Sequence, residues 1–230
     1  MSGFYPDTFE FLEQITKNNN KVWFDENREK YEYQVRTPAL EFIEAFAFNL
    51  SRLSPHFLAL PKKMGGSLMR IHRDMRFSKD KTPYKTNVGI SFRHEAGKDI
   101  HAPGFYLHLD TNECFIGVGI WRPDSKALNK IRDHIDSNQK QWLTLTGPIA
   151  SDDSDTQSWY FVGDTLVRPP KGFDKEHPLI NDLKRKDFIV LKKLTQQQVC
   201  SPSFADDVYK ILKEQTKIMA FLCKALDVPF

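Results

Sequence analysis

Between Arg70 and Arg93 the chain places seven Lys or Arg and two Asp in 24 positions, with His72 among them. From Arg70 the segment runs R-I-H-R-D-M-R-F-S-K-D-K-T-P-Y-K-T-N, whereas the whole chain carries a formal charge of only +3. Positive charge is therefore concentrated here. Guanidinium and ammonium groups interleaved with Ser, Thr and Tyr donors suit phosphate or carboxylate far better than a neutral ligand. Arg70, Arg73, Arg76 and Arg93 are candidate oxyanion holders, with Tyr84 and Lys85 beside them. Asp74, between Arg73 and Arg76, fits an ion-pair partner that orients them rather than a free base. Lys79 and Lys81 either close over bound phosphate or only solvate an exposed loop.

His72 and His108 are the candidates for proton transfer, because an unperturbed imidazole titrates near neutral pH. A metal site is not expected. His72 and Asp74 stand two apart with no compact third and fourth ligand, and Cys114, Cys200 and Cys223 are too widely spaced for a C-x-x-C pair. Neither Ser78 nor Cys114 has the spacing of an activated nucleophile.

These residues must be positioned by helices and strands of distinct period. Pro6-Asp7 opens a first helix, with Glu10 as a capping partner and Phe9, Leu12 and Ile15 on one face. A second helix is predicted over 22–35. Pro38 opens a third, carrying Leu40, Ile43, Phe46 and Leu50, and Ser54-Pro55 ends it. Residues 66–72, 88–94, 104–110 and 113–121 then alternate in the manner of strands, with a tight turn at Thr111-Asn112. Asp124 or Ser125 caps a helix through Leu128, Ile131 and Ile135. That cap competes with any anion for the helix-start donors. Residues 150–158 read as a Ser/Asp-rich loop, 159–162 as a short strand, and 188–191 as an edge strand. Ser203 starts a long final helix. The expected class is α+β: a mostly antiparallel central sheet with N-terminal helices and a long C-terminal helix packed around it. One domain spans 1–230, helical over 1–56, sheet core over 64–122, and helices, loops and edge strands over 123–230.

Period two sorts the strands into two faces. Met69, Ile71, Val88, Ile90, Phe92, Phe105, Leu107, Leu109, Ile116, Val118 and Ile120 form a core. Arg70, His72, Ser91, Arg93, Tyr106, His108, Phe115, Gly117, Gly119 and Trp121 form a polar, cationic and aromatic face. Its glycines either make room for a packed helix or floor a cleft with Ser91, walled by Tyr106 and Trp121. Such a cleft would take an anion bearing a flat or ring-shaped group.

The totals agree with a folded chain: 230 residues, 40% apolar, 13% aromatic and 18 Phe. Met1–Asp7 lacks the basic start and apolar run of a signal peptide. No stretch approaches the ~18 apolar residues of a membrane span. Three well-separated cysteines fit a reducing compartment. The expectation is a soluble cytoplasmic protein with no membrane association.

The order of these pieces resembles a family of conserved hypothetical proteins, domain of unknown function 2461. The resemblance begins with F-x-F-L at Phe9–Leu12, N-x-x-x-W-F at Asn19–Phe24 and N-R-x-x-Y at Asn27–Tyr31. Its most specific part is R-I-x-R-D-x-R-F-S-K-D-K-T-P-Y-K-T at Arg70–Thr86. G-F-Y at Gly104–Tyr106, G-x-G-x-W-x-P at Gly117–Pro123 and Ile131-Arg132 follow. It implies an uncharacterised microbial family, and carries over no activity and no catalytic residue.

Three functions fit. The first is a basic cleft for a phosphorylated or carboxylated small molecule, held by Arg70, His72, Arg73, Arg76, Tyr84, Lys85, Arg93, Tyr106, His108 and Trp121, with His72 or His108 able to move a proton. The second is a nucleic-acid binder in which Phe77, Tyr84, Tyr106 and Trp121 stack bases while the cations meet phosphates. The third is a protein-interaction module whose basic loop meets an acidic partner.

Overall fold

Pro6 sits at the first turn of α1 (Pro6–Lys17), where a missing N–H costs nothing, and Phe9, Phe11, Leu12 and Ile15 give the helix its buried face. The cap expected from Asp7 and Glu10 does not form. Tyr5 takes the N-cap position without a side-chain bond. The computed structural model describes residues 3–74, 76, 79–97, 102–150 and 158–230. Phe77, Ser78 and residues 151–157 of the Ser/Asp-rich loop lie outside them.

Asn20 caps α2 (Lys21–Glu26) by accepting the Trp23 N–H at 3.0 Å. The single helix expected over 22–35 is broken at Asn27. α3 (Arg28–Tyr31) then runs through a π-helical turn (Glu32–Arg36) into α4 (Thr37–Leu53). Pro38 therefore lies inside a continuing helical path rather than opening a new one. It has no N–H to offer the Gln34 carbonyl one turn back, and the Thr8 hydroxyl donates to that carbonyl at 2.6 Å. Thr8 is fully buried. Its bond ties α1 to the widened turn.

Among the described residues six strands follow: β1 (Phe57–Leu58), β2 (Val88–His94), β3 (Gly104–Leu109), β4 (Cys114–Ile120), β5 (Tyr160–Val162) and β6 (Phe188–Leu194). They form an antiparallel sheet in the order β1-β2-β3-β4-β6-β5. The segment 188–191 expected at an edge is thus the start of an inner strand, paired on both sides, and β5 takes the edge. Residues 66–72 do not form a strand. Only 67–69 touch β2, through Met69 N–H to Gly89 C=O at 2.9 Å and Ser91 N–H to Ser67 C=O at 2.8 Å. Past Met69 the chain folds on itself: Lys85 N–H donates to Ile71 C=O at 2.8 Å and Arg73 N–H to Pro83 C=O at 2.9 Å. Leu68 faces the core, so Met69 turns to the opposite face, contrary to the sequence expectation.

Asp124 caps α5 (Ser125–Ser137), its carboxylate accepting the Ala127 N–H at 2.7 Å. α6 (Gln139–Thr146), α7 (Ile180–Leu183) and α8 (Gln196–Val199) are short. The long final helix is divided into α9 (Phe204–Lys213) and α10 (Thr216–Ala225). At the break Gln215 leaves helical geometry (φ −111°, ψ 12°). The neighbouring Glu214 carboxylate accepts from Trp159 Nε1 at 2.7 Å and Lys192 Nζ at 2.9 Å, which draws the turn toward the sheet.

The fold is α+β, with helices packed on one face of the sheet. Ile90, Phe92, Leu107, Ile116 and Val118 meet α1, α4 and α9, as in the Phe46–Phe92 pair at 5.1 Å between ring centroids. Ile120 and Phe188 join a second cluster with α5, α6 and α10. Among the described residues no helix is long and apolar enough to cross a membrane.

Candidate functional site

The ladder registers decide which side chains share the other face. One row across the sheet is Arg93, Gly104, Gly119, Ile189 and Val162. The next is Ser91, Tyr106, Gly117, Leu191 and Tyr160. A third is Gly89, His108, Phe115 and Lys193. A cavity of about 490 Å³ lies over these rows, within the usual range for small-molecule sites. Met69, Tyr106, Phe115, Trp121, Ile189 and Leu191 supply most of its apolar wall, and no residue lining it belongs to a helix. Among the described residues no helix packs over these glycines.

The glycines differ among themselves. A Cβ on Gly117 would stand 3.0 Å from Leu191 Cδ2 and 3.7 Å from Tyr106 Cβ, so the space above it belongs to those side chains. Gly119 has φ +134°, and a Cβ there would lie 1.9 Å from the Phe188 carbonyl oxygen. Only glycine fits. Gly117, Gly119 and Ser91, the floor expected from sequence, all line the cavity, and Gly104, paired directly with Gly119, joins them as its barest stretch.

Arg93 is the only charged residue lining the cavity among those described. Its guanidinium is exposed and has no hydrogen bond or ion pair with a described residue. The remaining polar groups are neutral. His108 stacks on Phe115 with centroids 4.5 Å apart and 5° between planes. Its Nδ1 lies 3.3 Å from both Tyr106 Oη and Asn87 Nδ2. An amide nitrogen only donates, so Nδ1 accepts and the neutral ring carries its proton on Nε2. Burial lowers the His108 pKa, with Asp110 and Glu113 opposing it. Burial raises that of Tyr106, opposed by the Asn87 hydrogen bond.

Trp121, 54% exposed, stands where β4 leaves the sheet. The next residue, Arg122, has φ +46°, a left-handed conformation that costs free energy for a residue with a side chain. The Asp187 carboxylate holds it there. One oxygen accepts the Arg122 N–H at 2.7 Å and the other the Asp164 N–H at 3.1 Å. Asp187 is 3% exposed. The Arg122 guanidinium lies 5.4 Å from the Trp121 ring centroid.

Arg93, Tyr106, His108 and Trp121 thus come together around the cavity. The other candidates lie along the ribbon at 70–85 and do not line it. Arg73 is ion-paired to Asp80 and donates to Thr82 Oγ1 at 2.6 Å. Arg76 grips Asp74 with two bonds, 3.0 and 2.7 Å, and this holds the Asp74 carboxyl well below the usual carboxylate range. Asp80 is lowered to about 2 by the Thr82 N–H and by Arg73. Tyr84 is a buried core residue stacked on Phe24 at 4.1 Å. Its backbone is held in both directions by Asn19, at 2.9 and 3.0 Å. His72 is exposed, its ring 5.1 Å from that of Tyr84. Arg70 is exposed and Lys85 half-buried. Burial, and then the nearby Arg70, lowers the Lys85 pKa. Among the described residues no three His, Cys, Asp or Glu are grouped to hold a metal.

The family model described as conserved hypothetical protein (DUF2461) matches residues 7–221. The chain belongs to that family. No curated protein matches it. In this DUF2461 protein the motifs behind the resemblance contact one another: Asn19 and Phe24 of N-x-x-x-W-F hold Tyr84 of the long basic string. G-x-G-x-W-x-P supplies the floor at Gly119 and the wall at Trp121. Sequence reasoning missed Gly104, Met69, Asn87, Asp187, Ile189 and Leu191 as members or supports of the site. Gly104 shares the parity of Tyr106 and His108, so extending the period-two count by one step finds it. Asp187 has no local signal, because its partners come from two other turns.

Proposed function

We propose that the open sheet face binds a small organic anion with an apolar body, the anionic group at Arg93 and the body along the cavity. One observation carries this reading: a guanidinium without a described partner stands at an apolar cavity whose described lining contains no carboxylate. A larger groove of about 820 Å³ beside α1 is lined by Glu10 and Glu13 and holds no Lys or Arg, so charge favours the sheet face. Tyr106, His108 and Ser91 supply neutral hydrogen bonds that orient the ligand. The cations of the ribbon are less suited to this role, because Asp74 and Asp80 already engage Arg76 and Arg73. Nucleic-acid binding has less support. Tyr84 is withdrawn into the core, leaving Tyr106 and Trp121 as the described stacking rings. Three free thiols, Cys114, Cys200 and Cys223, accord with a cytoplasmic setting.

A charge-assisted hydrogen bond contributes about 1.5–3 kcal/mol, or roughly 10- to 150-fold in affinity. A thermal-shift panel of carboxylates and phosphate monoesters tests the reading, since a ligand that binds only the folded state raises the melting point. Stabilisation by members of the panel should fall sharply in Arg93→Gln. A response that survives in Arg93→Gln but disappears in Arg70→Ala would place the anion on the ribbon instead.

A further inference from the structure

Resting on that reading, we infer that the ligand is a planar aromatic monocarboxylate whose ring lies on the Gly104–Gly119 backbone between Tyr106 and Trp121. The floor sets the shape. Gly104 and Gly119 are directly opposed, flanked along their row by Arg93 on one side and Ile189 on the other. Arg93 and Ile189 are three strand spacings apart, ~14 Å between backbones. That span accommodates a ring system with a carboxylate at one end. On the neighbouring row the Leu191 and Tyr106 side chains stand close above Gly117. The barest backbone under the cavity is therefore the Gly104–Gly119 strip. A flat ring meets such a strip over its whole face at about 3.5–4 Å, whereas a puckered ring touches it at a few atoms.

The Gly119 conformation keeps the strip bare, since no side chain fits there. The walls select for π surface. Tyr106, Phe115 and Trp121 line the cavity together. Trp121 is presented by a left-handed Arg122 that the buried Asp187 holds in place. Strain maintained next to a cavity by a buried carboxylate is an independent sign that the position of this ring matters. The charge count selects the head group. One guanidinium matches one carboxylate, in the bidentate geometry both favour, better than a phosphate dianion.

Isothermal titration of 2-naphthoate, cyclohexanecarboxylate, 2-naphthyl phosphate and 2-naphthalenemethanol tests this on wild type, Trp121→Ala and Trp121→Phe. Trp121 is largely exposed, so neither substitution removes core packing. The expected order places 2-naphthoate at least about tenfold ahead of each of the others, with Trp121→Ala erasing roughly 2- to 10-fold of that preference, the scale of one aromatic pair, and Trp121→Phe keeping most of it. Equal binding of the saturated acid, or tighter binding of the naphthyl phosphate, overturns the aromatic monocarboxylate and leaves the anion site standing. Failure of all four ligands to bind overturns both.

Discussion

Asp187→Ala removes the acceptor that fixes two turns at once. The carboxylate takes the Arg122 and Asp164 N–H groups at 2.7 and 3.1 Å from a 3%-exposed position. A hydrogen bond to a charged group contributes about 1.5–3 kcal/mol. Two such bonds, with water reaching both donors on the exposed turns, put the loss near the low end of their sum, about 3 kcal/mol. That is within a typical stability of about 5–15 kcal/mol, so the variant folds. For a chain of this size it lowers the melting midpoint by roughly 6–12 °C. Asp187→Asn keeps one acceptor but turns an amide donor toward the second N–H, so it recovers at most half of the loss. Calorimetry reads the stability, and near-ultraviolet circular dichroism reads the loosening of Trp121, which no longer has its turn clamped. A midpoint and a near-ultraviolet spectrum both unchanged in Asp187→Ala would refute the clamp.

Gly119→Ala should cost more than about 4 kcal/mol and abolish soluble expression, because its Cβ meets backbone at an incompatible φ, whereas Gly117→Ala displaces only a leucine methyl and costs about 1 kcal/mol. Equal tolerance of the two, measured by soluble yield and melting, contradicts the bare-floor argument. Thr8→Val leaves the Gln34 carbonyl without the Thr8 hydroxyl and should lower urea stability by about 1–2 kcal/mol; an unchanged midpoint means the wide turn does not need it. His108 has a folded pKa below its unfolded value. Between the two values the unfolded chain binds more protons, so the His108 contribution is complete above about pH 6.5 and is lost as pH falls through the folded value. Urea midpoints at about pH 7.5 and about pH 5.5 should therefore converge in His108→Gln relative to wild type. The same gap in both proteins would show that His108 does not titrate as its burial requires.

What was legible in the sequence was local. The alternation of 104–109 and 114–120, the Thr111-Asn112 turn and the Asp124 cap are each set by neighbouring residues, and with them came Arg93, Tyr106, His108 and Trp121 on one face. The misplaced residues depend on distant contacts. Tyr84 looked like part of a basic-aromatic loop, but Asn19, 65 positions earlier, fixes its backbone, and Phe24 covers its ring. Alternation carried through 72 puts Met69 on the core face, whereas the chain leaves β2 after Met69 to pair with 83–85. The last helix reads as continuous by apolar period. It breaks where Glu214 is bound by Trp159 and Lys192, partners from the sheet layer. Ile189 and Leu191 read as peripheral because 188–191 alone has the look of an edge strand, whereas β6 is paired on both sides.

Backbone amide spectra of the uniformly ¹⁵N-labelled protein, recorded while 2-naphthoate is titrated in, locate the anion without assuming any activity. Saturable shifts are expected at Gly104, Gly119, Tyr106 and the Trp121 indole N–H, with the ribbon at 70–73 and 84–85 unmoved, and their loss in Arg93→Gln. Shifts confined to the ribbon, or shifts at the glycines that persist without the Arg93 charge, would contradict binding at Arg93.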